Sequence, residues 1–252
     1  MTTEAPYSTD FFKKIESGSV ASARVVIPVL LDLLRPHSVV DIGCGAGAWL
    51  SVVRQLGISD IQGIDGDYVN RAALMIPQEK FQAADLGTSF RLNRRYDMAM
   101  SLEVAEHIEA RYADTYLDNL TMLSDTIVFS AAIPNQTGTG HVNEQWPEYW
   151  KEKFEARGYV LIDCLRHRFW TNRDVERWYR QNLLLYVTQN RLRESPVLLN
   201  ELESARERTL ALVHPASYIA PSLSAILHMI PGTLSRAFKR RLSKAPWSSS
   251  PR

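Results

Sequence analysis

The spacing of apolar positions changes repeatedly along this chain, and each change marks a predicted element. From Ser19 to Leu34 the apolar residues fall on one helical stripe, which Arg35-Pro36 ends. Ser38 to Ile42 is a short, largely apolar run of the kind that forms a buried strand. Ala48 to Leu56 returns to helical spacing, and Gly57 suits a left-handed cap. Further strands are predicted over Asp60 to Asp65, Phe81 to Ala84, Tyr96 to Leu102 and Asp125 to Ala132. Between them lie a short predicted helix at Asn70 to Met75 and a longer one at Ala110 to Leu123. A helix over Trp146 to Arg157 follows, and Val160 to Leu165 and Leu183 to Val187 read as closing strands. Strand and helix alternate throughout, which predicts an α/β fold with a mostly parallel, doubly wound sheet covered on both faces.

The pattern changes after Thr188. Residues 190–215 are charged with helical spacing, and residues 216–252 are broken by Pro221, Pro231, Pro246 and Pro251. The expected division is therefore a main domain over 1–189, its first 35 residues a helical cap, and a helical appendage over 190–252 ending in a disordered tail. Within the appendage, residues 233–244 place Leu234, Ala237, Phe238 and Leu242 on one stripe and Arg236, Lys239, Arg240, Arg241 and Lys244 around the rest. Such a basic amphipathic helix rests on an anionic membrane surface or a partner, or folds back with its charges solvated.

Composition narrows the class. A net charge of +1 on 252 residues gives no general attraction for nucleic acid. Cys44 and Cys164 form no CxxC pair, so a disulfide framework and a thiolate zinc site are not expected, and a reducing compartment is. The start, MTTEAPYSTDFF, lacks the basic-then-apolar order of a signal peptide. No apolar run approaches the ~18 residues of a membrane span. A cytoplasmic protein is expected.

Three strand ends carry the candidate chemistry. "VVDIGCGAG" ends the first strand with Asp41 and then Gly43, Gly45 and Gly47. Glycines there allow a tight turn and let a ligand approach the backbone. A carboxylate two residues ahead repels a pyrophosphate and suits a cationic ligand. Asp65 in "GIDGD" closes the second strand, where an acid accepts from ribose hydroxyls, and Asp67 stands second to it. Asp85 in "AADL" closes the third, placed for an adenine amino group. A nicotinamide-dependent oxidoreductase uses a similar glycine turn, and a non-catalytic binding protein would keep the same pocket.

These motifs, followed by "YDMAMSLEVAEHI" at the fourth strand, resemble those of class I S-adenosylmethionine-dependent methyltransferases over about residues 19–187. The resemblance implies a Rossmann-like, seven-stranded sheet with S-adenosylmethionine as cofactor. It implies that Gly43, Gly45 and Gly47 line the methionine and ribose portions, that Asp65 holds the ribose diol, and that Asp85 with Leu86 reads the adenine. Asp41 then tolerates the sulfonium charge.

Glu103, Glu106 and His107 share one face if their segment turns helical, and His141 follows the fifth strand in "GTGHVNEQW". Two carboxylates and two imidazoles suit a divalent Mg, Mn, Fe or Zn ion. The E-x-x-E-H run is similar to the metal site of small-RNA terminal ribose methyltransferases and of ubiquinone-pathway O-methyltransferases. Similar runs also occur in metal-free members, where the Glu contacts cofactor or substrate and the His packs or acts as base; Glu103 is then a cofactor contact, and Glu106 with His107 or His141 the catalytic candidates. In residues 133–150, Gly138 and Gly140 suggest mobility. Asn135, Gln136, Asn143, Glu144 and Gln145 supply polar groups, and Trp146, Tyr149 and Trp150 offer rings to stack on a sugar or aryl group. For Trp150 the core face of the following helix is the expected place. The stretch 168–182, rich in arginine and aromatics, is expected to be a helix lying over packed rings. Together these features predict O-methylation of a sugar, glycan or small hydroxylated metabolite, with ribose methylation of RNA a lesser alternative.

Overall fold

The chain is described by a computed structural model covering residues 9–217, with side chains from residue 18 onward. The tail beyond 217, including 233–244 and its proposed surface contacts, lies outside the described residues.

Seven strands form one sheet: β1 (Ser38–Ile42), β2 (Asp60–Asp65), β3 (Phe81–Ala83), β4 (Met98–Leu102), β5 (Thr126–Ser130), β6 (Tyr159–Ile162) and β7 (Leu184–Thr188). Their order is β3-β2-β1-β4-β5-β7-β6, parallel except for β7, which runs against both neighbours. The expected mostly parallel, doubly wound sheet is what forms. Along β1, Val39 pairs with Ile61 of β2 and with Met98 of β4, so register is fixed through the most buried strands.

Alternation along each strand divides the core in two. On one face Val39, Ile61, Met98, Met100 and Leu185 pack under α1 (Thr9–Leu34) and α2 (Ala48–Gln55). On the other face Val40, Ile42, Ile64, Phe129 and Tyr186 pack under α3 (Ala113–Leu123) and α4 (Pro147–Glu155). Trp150 is buried in that second layer against Phe129, as the helical spacing predicted.

Three expectations change in detail. The helix expected at Ala110 starts as a 3-10 turn, Ala110–Tyr112, before α3 begins. The stretch 168–182 is not one helix: it holds the end of α5 (Leu165–Phe169), a turn, and α6 (Arg177–Asn182). The residues assigned to an appendage do not stand apart as far as Ser217. Gln189–Arg193 (α7) and Pro196–Ala205 (α8) lie inside the compact unit ending at Ser217, with Leu192 and Leu198 in the first core layer. Among the described residues no helix is long and apolar enough to cross a membrane.

A buried ion pair fastens the last described segment. Arg166 is 1% exposed. Its Nε and a terminal nitrogen donate to Asp163 at 3.0 and 2.6 Å, and its guanidinium also donates to the carbonyls of Leu210 and Thr209 at 2.7 and 3.2 Å. Removing one partner of such a pair leaves an uncompensated buried charge. Arg166→Ala is therefore expected to cost about 3–5 kcal/mol of folding stability, read from urea unfolding.

Candidate active site

Strand order reverses between β1 and β4, and the crevice at the carboxyl ends of these strands is where a doubly wound sheet takes its ligand. The glycine turn after β1 forms one wall. Gly43 sits at φ +82°, and a Cβ there would lie 2.3 Å from the Val104 side chain. The two turns therefore touch only because residue 43 has no side chain. Gly47, in the left-handed region, caps the start of α2 without a side-chain hydrogen bond.

Asp65 fastens this wall to the next. Its Oδ2 accepts from the Gly45 amide at 2.7 Å, and its Oδ1 accepts from the Gly66 amide at 2.6 Å and the Tyr68 hydroxyl at 2.5 Å. A tyrosine hydroxyl thus occupies the carboxylate expected to hold a ribose. Asp67 instead pairs with Arg71 at 2.8 Å. Asp85 is exposed and accepts from the Gly87 amide at 2.9 Å, while Leu86 is buried in the second core layer. Asp41 lies within β1, 2% exposed; burial first and the nearby Asp65 second push its carboxyl up to about 8.

The segment after β4 does not turn into a regular helix. Glu103 takes φ +56°, and Ala105–His107 form a single 3-10 turn. This separates residues that helical spacing would place on one face. Glu103 is turned to the β5 and β7 ends, where its carboxylate accepts from Gln136 Nε2 at 2.8 Å and Asn182 Nδ2 at 3.0 Å. Burial raises its pKa, and these donors oppose the rise.

Glu106, His107 and His141 do converge, with one donor atom from each within 4.8 Å of the others. Glu103 lies outside this trio. The Glu106 side chain is fully enclosed, and neither carboxylate oxygen has a hydrogen-bond partner among the described residues. Burial, then the charge of Glu103, pushes its pKa well above the usual carboxylate range. His141 Nε2 stands 4.0 Å from Glu106 Oε1, and the two imidazoles meet edge to face at 4.9 Å. His107 reaches the rim, and packing of its inner edge with His141 alongside lowers its pKa. Gly138 and Gly140 serve the histidines rather than simple mobility. A Cβ on Gly138 would fall 2.1 Å from His141 Nε2, and the Gly140 carbonyl meets His107 Nδ1 at 3.1 Å. A buried, donorless carboxylate facing two imidazoles is a donor set that fits a divalent cation.

The family model described as a methyltransferase domain matches residues 19–182. The chain belongs to this family. It is an S-adenosylmethionine-dependent methyltransferase, and the oxidoreductase and non-catalytic alternatives are set aside. No protein of curated function matches it by sequence. Solved structures of similar fold include a magnesium protoporphyrin IX methyltransferase from Synechocystis PCC 6803 with bound SAH. It is 19% identical, with a TM-score of 0.54 over 74% of this chain and 90% of that one. The sugar N-methyltransferase KedS8 from Streptoalloteichus is 16% identical, with a TM-score of 0.58 over 75% and 96% of the two chains. CalS10, an amino pentose methyltransferase from Micromonospora echinaspora, is 13% identical, with a TM-score of 0.52 over 75% and 100%. At these identities the likeness is one of fold.

Sequence reasoning missed part of the methyltransferase's polar edge. Gln181 and Asn182 are 1% and 3% exposed and, with Gln136, form an amide cluster under Glu103. The signal was present as two amides directly before the apolar run "LLLYVT". Tyr68 was missed because nothing in its spacing marks a hydroxyl folded back on Asp65.

Two outcomes test the cofactor crevice. Gly43→Ala forces Val104 away, and isothermal titration is expected to show loss of S-adenosylhomocysteine binding in a chain that still folds by circular dichroism. The second concerns Asp41, whose ordinary pKa of 3.8 rises to about 8 in the fold. Between those values the folded chain keeps a proton that the unfolded chain sheds, so this group lowers stability as pH rises toward 8 and adds no further slope above it. A cationic cofactor favours the ionised form. S-adenosylmethionine binding at pH 7 is therefore expected to release a proton, measured as a dependence of binding heat on buffer ionisation heat, and Asp41→Asn is expected to abolish the release.

Proposed function

We propose that this methyltransferase moves the methyl group to a hydroxyl of a sugar, glycan or small hydroxylated metabolite, assisted by a divalent cation. The observation that carries the reading is the enclosed, unpartnered carboxylate of Glu106 facing His107 and His141. An uncompensated buried carboxylate is costly, and a cation answers it. Glu106, His107 and His141 would hold the ion, with Glu103 left to the cofactor's amino group. A bound divalent ion supplies Lewis-acid polarisation of the acceptor hydroxyl.

The chain's own residues do the rest. The glycine turn and Asp65 would hold the cofactor, and alignment of oxygen, carbon and sulfur would supply much of the acceleration. As the oxygen–carbon bond forms, the carbon–sulfur bond breaks, S-adenosylhomocysteine leaves, and the hydroxyl proton passes to solvent at the open rim beside His107. Val142, 59% exposed and next to His141, and Trp146, 39% exposed in the same loop, would offer an apolar face to a sugar or aryl ring. Trp150 is buried in the second core layer and is not available for it. Asn143 Nδ2, buried and without a partner among the described residues, is a donor for an acceptor oxygen.

A second reading rests on His107 itself. Its Nδ1 proton is engaged by Gly140 and its pKa is lowered, so Nε2 is a free base at neutral pH and takes the hydroxyl proton without a metal.

Chelation separates the two. With a panel of glycan and phenolic acceptors, EDTA is expected to abolish S-adenosylhomocysteine release and added Mn²⁺ or Mg²⁺ to restore it. Glu106→Ala is expected to lower kcat by about 10²-fold or more, with cofactor affinity unchanged. Full turnover in EDTA, lost on His107→Gln, would instead establish the metal-free reading.

A further inference from the structure

Both imidazoles of the trio are held from behind by one loop. His107 Nδ1 meets the Gly140 carbonyl at 3.1 Å, and His141 Nδ1 meets Glu144 Oε1 at 2.8 Å. Each of these partners is an acceptor, so each Nδ1 carries the proton, and in the neutral ring Nε2 presents its lone pair. Val142 and Asn143 amides donate to the Glu106 carbonyl at 2.9 and 3.0 Å, pinning the loop to the turn that bears the carboxylate.

Glu144 does more than touch His141. Its Oε1 also accepts from the Thr137 amide and its Oε2 from the Asn135 amide, both at 2.8 Å. Asn135 and Thr137 sit at φ +67° and +58°, a region that side-chain-bearing residues occupy only when something holds them there. One carboxylate therefore fixes both the strained backbone and the ring.

We infer that Glu144 is the positioning residue for a divalent cation at Glu106, His107 and His141, because it fixes the ring of His141 with Nε2 turned toward Glu106. This rests on the cation reading proposed above. A carboxylate behind a ligating imidazole sets its tautomer and raises its basicity, and loss of such a partner typically weakens metal binding about 10–100-fold.

The test uses the full chain, with Mn²⁺ alone as the probe and S-adenosylhomocysteine titrated in parallel. The unmodified protein is expected to bind Mn²⁺, and Glu144→Gln to bind it about 10–100-fold more weakly with cofactor affinity unchanged. Equal Mn²⁺ affinity in Glu144→Gln overturns the positioning role and leaves the cation reading standing. No Mn²⁺ binding by the unmodified protein overturns the cation reading, and this inference with it. Parallel loss of cofactor affinity in Glu144→Gln makes Glu144 a general loop support and overturns the specific role. A measurement on the unmodified chain needs no variant: side-chain ¹⁵N spectra at pH 8 are expected to show His141 as the Nδ1–H tautomer, and an Nε2–H tautomer overturns the inference.

Discussion

The fold gathers negative charge where it can least be solvated. Asp41, Asp65 and Glu106 are nearly or fully buried at or beside the carboxyl ends of β1, β2 and β4, with Glu103 close by. An isolated buried carboxylate costs several kcal/mol or more unless it is protonated, hydrogen-bonded or paired. Much of the site is built from the answers to that cost. Asp65 is met by two backbone amides and a phenol, Glu103 by side-chain amides, and Asp41 by a proton held up to about pH 8. Both oxygens of Glu106 lack a hydrogen-bond partner among the described residues. Asp41 and Asp65 lie at the carboxyl ends of β1 and β2, at the edge where a doubly wound sheet takes its ligand.

The loops follow from this. The turn after β4 places Glu103 and Glu106 in separate environments by taking φ +56° at Glu103. One carboxylate then faces the amide cluster while the next faces the histidines. The loop after β5 closes over both, with Gln136 reaching Glu103 and Glu144 reaching His141. Strand positions are thus generic to the class, and the division of labour between the two acids depends on backbone geometry in a few residues.

That distinction also explains what was legible in the sequence. The strands and the sheet follow from apolar periodicity, because buried parallel strands leave continuous apolar runs and their register needs no special residues. Asp65 was visible because an acid directly after an apolar run is rarely placed there by packing alone. The split of Glu103 from Glu106 was not visible, since a spacing of three reads as one helical face and only a left-handed φ at residue 103 undoes it. Gln181 and Asn182 were hidden for another reason: Gln136 and Glu103, which they bond, lie 45 or more residues away in the chain. Gly138 and Gly140 read as flexibility, whereas their small size makes room for imidazoles.

The ion pair of Arg166 has a further meaning. Thr209 and Leu210 are held by it, and four residues on, the His214 amide donates to Gln181, whose own amide reaches Gln136 beneath Glu103. The family match ends at residue 182, yet among the described residues these hydrogen bonds run on to His214. Among the described residues, the amide cluster under Glu103 is thus braced by a stretch of chain that lies past the family match.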